Sequence, residues 1–173
     1  SIQRAREPGP SADPYAEPNL LLVGTGAGRF VEHVPLGGTE PVLIATSRAV
    51  LQGDLDGDGA LDLLVVNRDS PAHLLLNRVP GRGRGVLLRV REASGADARG
   101  ARLELELGAQ KLRRDVAVAY GYNSSHDPRV HVGLGEAERL ERVLVTWTDG
   151  TSESFGPFAA GSAHELRRGA GQR

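Results

Sequence analysis

Asp54, Asp56, Asp58 and Asp62 occupy positions 1, 3, 5 and 9 of the run Asp54-Leu-Asp-Gly-Asp-Gly-Ala-Leu-Asp62, with Gly59 at position 6. Four carboxylates at this spacing suit a hard cation that takes oxygen ligands from one short turn. The side chains of Asp54, Asp56, Asp58 and Asp62 are the expected ligands, together with the backbone carbonyl of Ala60 at position 7. Gly59 permits the sharp bend because it has no Cβ to clash. Calcium is the expected ion, since it accepts six to eight oxygens in flexible geometry, whereas magnesium retains its waters. A solvated acidic turn without a cation is the lesser reading, because carboxylates this close repel one another. The loop is not an EF-hand: position 12, where a bidentate Glu belongs, is Val65.

Other clusters carry weaker chemistry. Gly24-Thr-Gly26-Ala-Gly28 lacks both the dinucleotide-binding spacing and a following helix, and reads as a hairpin turn. His126, Asp127 and His131 lie near Tyr120 and Tyr122, but a zinc site needs converging imidazoles and a third ligand. Turn-forming Asn123, Ser124, Asp127 and Pro128 favour a surface loop. Ser124 or Ser125 with His126 and Asp127 makes a poor hydrolase triad, since sequence neighbours rarely supply the geometry and no G-x-S-x-G elbow is present. No catalytic residue is assigned. Asn123-Ser-Ser125 fits the N-glycosylation pattern.

Arg82, Arg84, Arg89, Arg91, Lys111, Arg113 and Arg114 make the middle of the chain basic, yet no aromatic lies between residues 81 and 115. Without stacking platforms, nucleic-acid binding is not expected. A solvent face is the preferred reading, with a docking patch for a partner or an acidic glycan as the alternative. Trp147 alternates with Val145 and Val143, which places it in the core rather than on a sugar.

The elements that position the loop are strands. Leu61–Val66 is a short apolar run ending at Asn67-Arg-Asp-Ser-Pro71, a buried strand by length and flanks. Strand-like segments also cover 19–23, 29–34, 48–53, 72–77, 86–91, 102–107, 116–120, 129–132, 142–147, 151–155 and 162–166. The segment 102–107 alternates polar and apolar residues strictly, and Asp149-Gly150 is a hairpin turn between two of these runs. Helical periodicity is absent over any ten residues, and Glu136–Leu140 offers one turn at most. The class is all-β. Residues 1–18, with Pro8, Pro10, Pro14 and Pro18, read as an irregular arm, and the stretch Pro80-Gly-Arg-Gly-Arg-Gly85 as the domain boundary. Residues 86–168 hold enough strands for a small antiparallel sandwich or barrel-like domain.

Charge is nearly balanced, with 21 Lys and Arg against 22 Asp and Glu. Residues 1–80 hold 6 basic and 10 acidic side chains and residues 81–173 hold 15 and 12, so the loop carboxylates dominate the negative half. The chain has no cysteine, which excludes disulfides and thiolate metal sites. No apolar run reaches transmembrane length, so membrane insertion is not expected.

Gly53-Asp-Leu-Asp-Gly-Asp-Gly-Ala-Leu-Asp62 resembles the calcium loop of FG-GAP/VCBS repeats, which form β-propeller blades. Asn19–Phe30 resembles the hairpin before such a loop and Ala72–Asn77 the strand after it. Gly121–Ser125, Val130–Gly135 and Val143–Gly150 are similar, as an ordered set, to motifs of the ASPIC/UnbV domain. The resemblance implies a partial blade over 19–80 followed by an ASPIC/UnbV-like domain over 86–168. Because a lone blade exposes an edge, and the chain begins at Ser1 with no methionine, further blades of the same protein are expected upstream. The function implied is a secreted, extracellular or periplasmic calcium-stabilised module that recognises a protein or glycan. The alternatives are an accessory protein or enzyme of natural-product biosynthesis, as UnbV implies, and one subunit of a split propeller.

Overall fold

The computed structural model describes residues 13–68 and 70–172; the arm expected over 1–18 lies outside them up to residue 12. The fold is all-β, and among the described residues the one short helical element is a 3-10 turn at Leu36–Gly38. Contacts divide the chain into two compact units, Ser1–Val50 with Leu64–Leu74, and Leu51–Leu63 with Leu75–Arg173. The acidic loop therefore belongs to the same unit as the C-terminal half.

In the first unit β1 (Glu17–Pro18) pairs antiparallel with β4 (Ile44–Ala45), and β2 (Leu22–Gly26) with β3 (Arg29–Glu32). The β2–β3 turn runs through Ala27 and Gly28, both at positive φ, so the glycine-rich stretch is a hairpin turn as expected. Every residue of β2 and β3 is exposed, including Leu22, Val23, Phe30 and Val31. An antiparallel hairpin usually buries one face; this one buries neither. Next come β5 (Ser47–Gly53), β6 (Asp62–Asn67) and β7 (His73–Leu75), ordered β5-β6-β7 in one sheet, with residues in both units.

The second unit is built on two sheets. One has the order β10-β9-β13-β14, from β9 (Arg102–Leu107), β10 (Gln110–Asp115), β13 (Arg142–Thr146) and β14 (Ser152–Phe155). The other has the order β11-β8-β16, from β8 (Arg84–Arg91), β11 (Val130–Gly135) and β16 (Ser162–Arg167). Both sheets contribute to a single buried cluster. Val86, Leu88 and Val90 of β8 and Val132 of β11 meet Leu103 and Leu105 of β9, Val143 and Val145 of β13, and Trp147. Alternation explains the selection, because residues two apart on a strand share a face. Glu104 and Glu106 accordingly point outward.

Three expectations differ from the structure. Residues 116–120 form no strand; the chain instead extends through β10, the polar run Gln110-Lys-Leu-Arg-Arg-Asp115, which pairs residue for residue with β9. β10 is an edge strand exposed at every residue except Leu112, which packs against the core, so it carries none of the apolar alternation that marks a half-buried strand. Glu136–Leu140 is not helical: a turn leads into β12 (Arg139–Leu140), which pairs with β15 (Phe158–Ala159). The sandwich is also not wholly antiparallel, since β16 runs parallel to β8 from Ser162 beside Val86 to Arg167 beside Arg91. Parallel neighbours need a long connection, and most of the domain lies between these two. The Asp149-Gly150 hairpin stands as expected, closed by the Trp147 amide on the Thr151 carbonyl.

Candidate metal loop and the adjoining cleft

The acidic loop leaves the end of β5 and enters the start of β6. Gly57 and Gly59 both adopt positive φ, at 77° and 84°, which lets the chain double back. Asx-type bonds shape the turn. The Asp54 carboxylate accepts the Gly57 amide at 2.8 Å and the Gly59 amide at 3.2 Å, and Asp58 accepts the Ala60 amide at 3.0 Å. As a result Asp54, Asp56 and Asp58 each offer a carboxylate oxygen within 4.8 Å of the others. That convergence, all oxygen and all anionic, fits a divalent hard cation.

Asp62 behaves differently. It is fully buried, and its two oxygens accept the amides of Leu55 at 2.9 Å and Asn77 at 2.8 Å. It clamps the loop mouth to the incoming chain and lies outside the converging trio. Ala60 is buried beside it.

Two arginines that the sequence reading assigned elsewhere or passed over reach the loop. Arg78 binds both Asp56 and Asp58, and Arg82 binds Asp58 at 2.6 Å. Asp58 is held below the usual carboxylate range, first by the Ala60 amide and then by Arg82. The guanidinium groups offset part of the charge that the crowded carboxylates accumulate. Arg82 lies in the stretch read as the domain boundary, and only the folded chain shows its partner.

Behind the loop lies the Tyr120–His131 segment. His126 is buried, accepts the Gln52 amide at Nδ1 (3.2 Å), and so carries its proton on Nε2. Tyr120 stacks on it, with ring centroids 4.0 Å apart and planes 8° from parallel, and the Tyr120 hydroxyl accepts Gln52 Nε2 at 2.8 Å. His131 Nε2 lies 3.0 Å from the Gly59 carbonyl, and Arg129 Nη2 donates to the Asp54 carbonyl at 3.2 Å. The two histidines thus serve separate partners, and no zinc-type cluster forms among the described residues. Nor is there a triad. Asp127 bonds Arg129 at 2.7 Å rather than His126. Burial raises the Asp127 pKa, but the Arg129 bonds outweigh it and hold the group ionised.

These residues wall an open cleft of about 400 Å³, a volume typical of small-ligand sites. Tyr120, Arg129 and His131 line it with Arg114; Tyr122 and His126 do not.

Residues 91–173 match the ASPIC and UnbV family. The matched stretch begins at the end of β8 and takes in β9 to β16, with part of the cleft wall; Gln52, Leu61 and Leu87 of that wall precede it. The acidic loop precedes it in sequence. The chain is also similar to cartilage acidic protein 1 of Xenopus tropicalis, 38% identical over 153 residues that cover 82% of this chain. It spans only 22% of that relative's length.

Proposed function

We propose that this chain is part of a non-enzymatic, extracytoplasmic recognition module stabilised by calcium. The convergence of the Asp54, Asp56 and Asp58 oxygens within 4.8 Å carries the reading. The three carboxylates supply part of the six to eight oxygens that calcium takes; in the proposed set the Ala60 carbonyl adds one more, and Asp62, whose oxygens also accept the Leu55 and Asn77 amides, closes the loop behind them. The FG-GAP/VCBS resemblance of residues 53–62 supports it. Extracellular calcium sites bind at about 10⁻⁴–10⁻³ M, a range that a calcium-poor cytosol leaves empty. The name of the cartilage relative is in keeping with a setting outside the cell. Among the described residues, no helix is long and apolar enough to cross a membrane.

The exposed β2–β3 hairpin supports a further part of the proposal. Exposed apolar surface of this extent marks an interface, and the occupant we infer is further propeller strands of the same polypeptide. A split propeller, in which another chain supplies those strands, is separated by mass measurement with candidate partner chains.

The rival reading, an enzyme or accessory protein of natural-product biosynthesis, draws on the cleft beside Tyr120. Its two best proton-transfer groups are already committed, Asp127 to Arg129 and His131 to the Gly59 carbonyl. Recognition therefore suits the cleft better than turnover.

The deciding test is a calorimetric calcium titration with thermal melts in calcium and in chelator, on the parent and on Asp56→Ala. Binding near one equivalent is expected, with a melting point that rises in the parent and stays put in the variant. Silence up to several millimolar calcium overturns the metal reading.

A further inference from the structure

We propose that the cleft beside Tyr120 binds a saccharide that carries a uronate carboxylate. This rests on the recognition reading above and names its ligand.

The first observation is Tyr120 itself. The residue is 55% exposed, yet its side chain is held on two sides: one face lies flat on buried His126, and the hydroxyl takes the Gln52 amide group. Gln52 also fixes His126 through its backbone, so one residue orients both members of the stack. A rigid aromatic with one face covered and the other open is a preformed platform. The electron-rich face of an aromatic ring suits the C–H face of a pyranose. Because the platform is already ordered, binding loses little side-chain freedom there.

The second observation is charge. Arg114 lines the same cleft, is exposed, and has no carboxylate partner among the described residues; its one hydrogen bond is to the Arg113 carbonyl. The neighbouring charges are matched. Arg113 pairs with Asp115 at 3.4 Å, Arg102 reaches Asp115 at 3.8 Å, and Arg129 holds Asp127. One uncommitted guanidinium beside a stacking platform selects a single carboxylate, which it can bind bidentately. A phosphate monoester, close to a dianion at neutral pH, would call for a second free cation.

The remaining lining fits the same ligand. Leu87 faces the side of β8 opposite the core residues Val86 and Leu88 and gives the cleft an apolar floor. Gln52 and His131 supply polar edges, and the two carboxylates in the lining, Asp115 and Asp127, are ion-paired to Arg113 and Arg129. A sugar presents this mixture of C–H faces and hydroxyls. A neutral saccharide leaves Arg114 unmatched, and an aliphatic acid leaves the Tyr120 face bare.

The test is calorimetry and saturation-transfer NMR on the full chain in millimolar calcium. The probe is a tetrasaccharide alternating glucuronate and N-acetylglucosamine, compared with its carboxyl-reduced neutral form. The acid form is expected to bind, with the reduced form about tenfold weaker or more, the scale of one lost charge-assisted contact. Arg114→Gln should erase the preference between the two forms, Tyr120→Ala should weaken both, and Lys111→Gln, exposed on the same strand and outside the cleft, should change neither. Arg114 is exposed, so its variant tests the site without threatening the fold. Absence of binding, equal binding of the reduced form, or a preference that survives Arg114→Gln overturns the proposal. A chain that binds calcium but neither saccharide loses this site alone. A chain that binds the acid saccharide but not calcium keeps the site and loses the metal reading. Cleavage of the probe, seen by mass spectrometry, replaces recognition with catalysis and leaves the ligand class standing.

Discussion

Asp62 and its three neighbours in the loop share a side chain but not a task. Asp54, Asp56 and Asp58 sit at the loop face with oxygens converging, whereas Asp62 is sealed from solvent and satisfied by two amides. Truncating it leaves the amides of Leu55 and Asn77 without acceptors, and each buried orphan costs about 1–3 kcal/mol. Asp62→Ala should therefore lose about 3 kcal/mol in urea denaturation, even in chelator. A purely metal-ligating Asp62 would show the loss only in calcium. The motif spacing made all four aspartates visible as a group. It could not divide them, because the division depends on Asn77, which reaches the loop only after the strands between them have formed.

At the scale of elements, the β13–β14 hairpin shows how local chemistry and tertiary contact combine. Asp149 accepts both the hydroxyl and the amide of Thr151, and these bonds, helped by Arg168, lower its pKa to about 2 from 3.8. A carboxylate with a depressed folded pKa contributes stability above the unfolded value, and that contribution disappears as pH falls through the folded one. Acid unfolding should thus steepen between about pH 4 and pH 2, and Asp149→Asn should flatten that limb of a pH–stability curve. Where the turn ends, Trp147 is 2% exposed in the core, its Nε1 has no partner among the described residues, and Arg168 lies over its ring at 5.7 Å. Trp147→Ala should cost about 3–5 kcal/mol by denaturant titration. Trp147→Phe should cost markedly less, because the ring volume is largely kept and no hydrogen bond is lost. The hairpin and β9 were legible in the sequence, one from Asp149-Gly150 and the other from strict alternation. β10 was not, since an exposed edge strand has no buried face to impose a period.

For the whole molecule, calcium is expected to act by mass action on folding. At a concentration one hundred times the dissociation constant, a ligand that binds only the folded state adds about 2.7 kcal/mol. Parent chain saturated with calcium should gain about that much over chelator, and Asp56→Ala should gain none. Arg78 and Arg82 already offset part of the loop's charge, so the apo loop should stay folded and the gain should be a shift in stability rather than a folding switch. What the sequence alone determined was the all-β class, the position of the acidic loop, the core role of Trp147 and the turn at Asp149-Gly150. Each of these is written in neighbours along the chain, as spacing, alternation or turn residues. Tertiary structure alone decided that β16 runs parallel to β8, that Asp62 clamps while its neighbours converge, and that Arg78 and Arg82 answer the loop's charge. It also built the cleft by stacking Tyr120 on His126 and leaving Arg114 uncommitted. Those outcomes join residues far apart in sequence, and no local pattern encodes which distant partner will arrive.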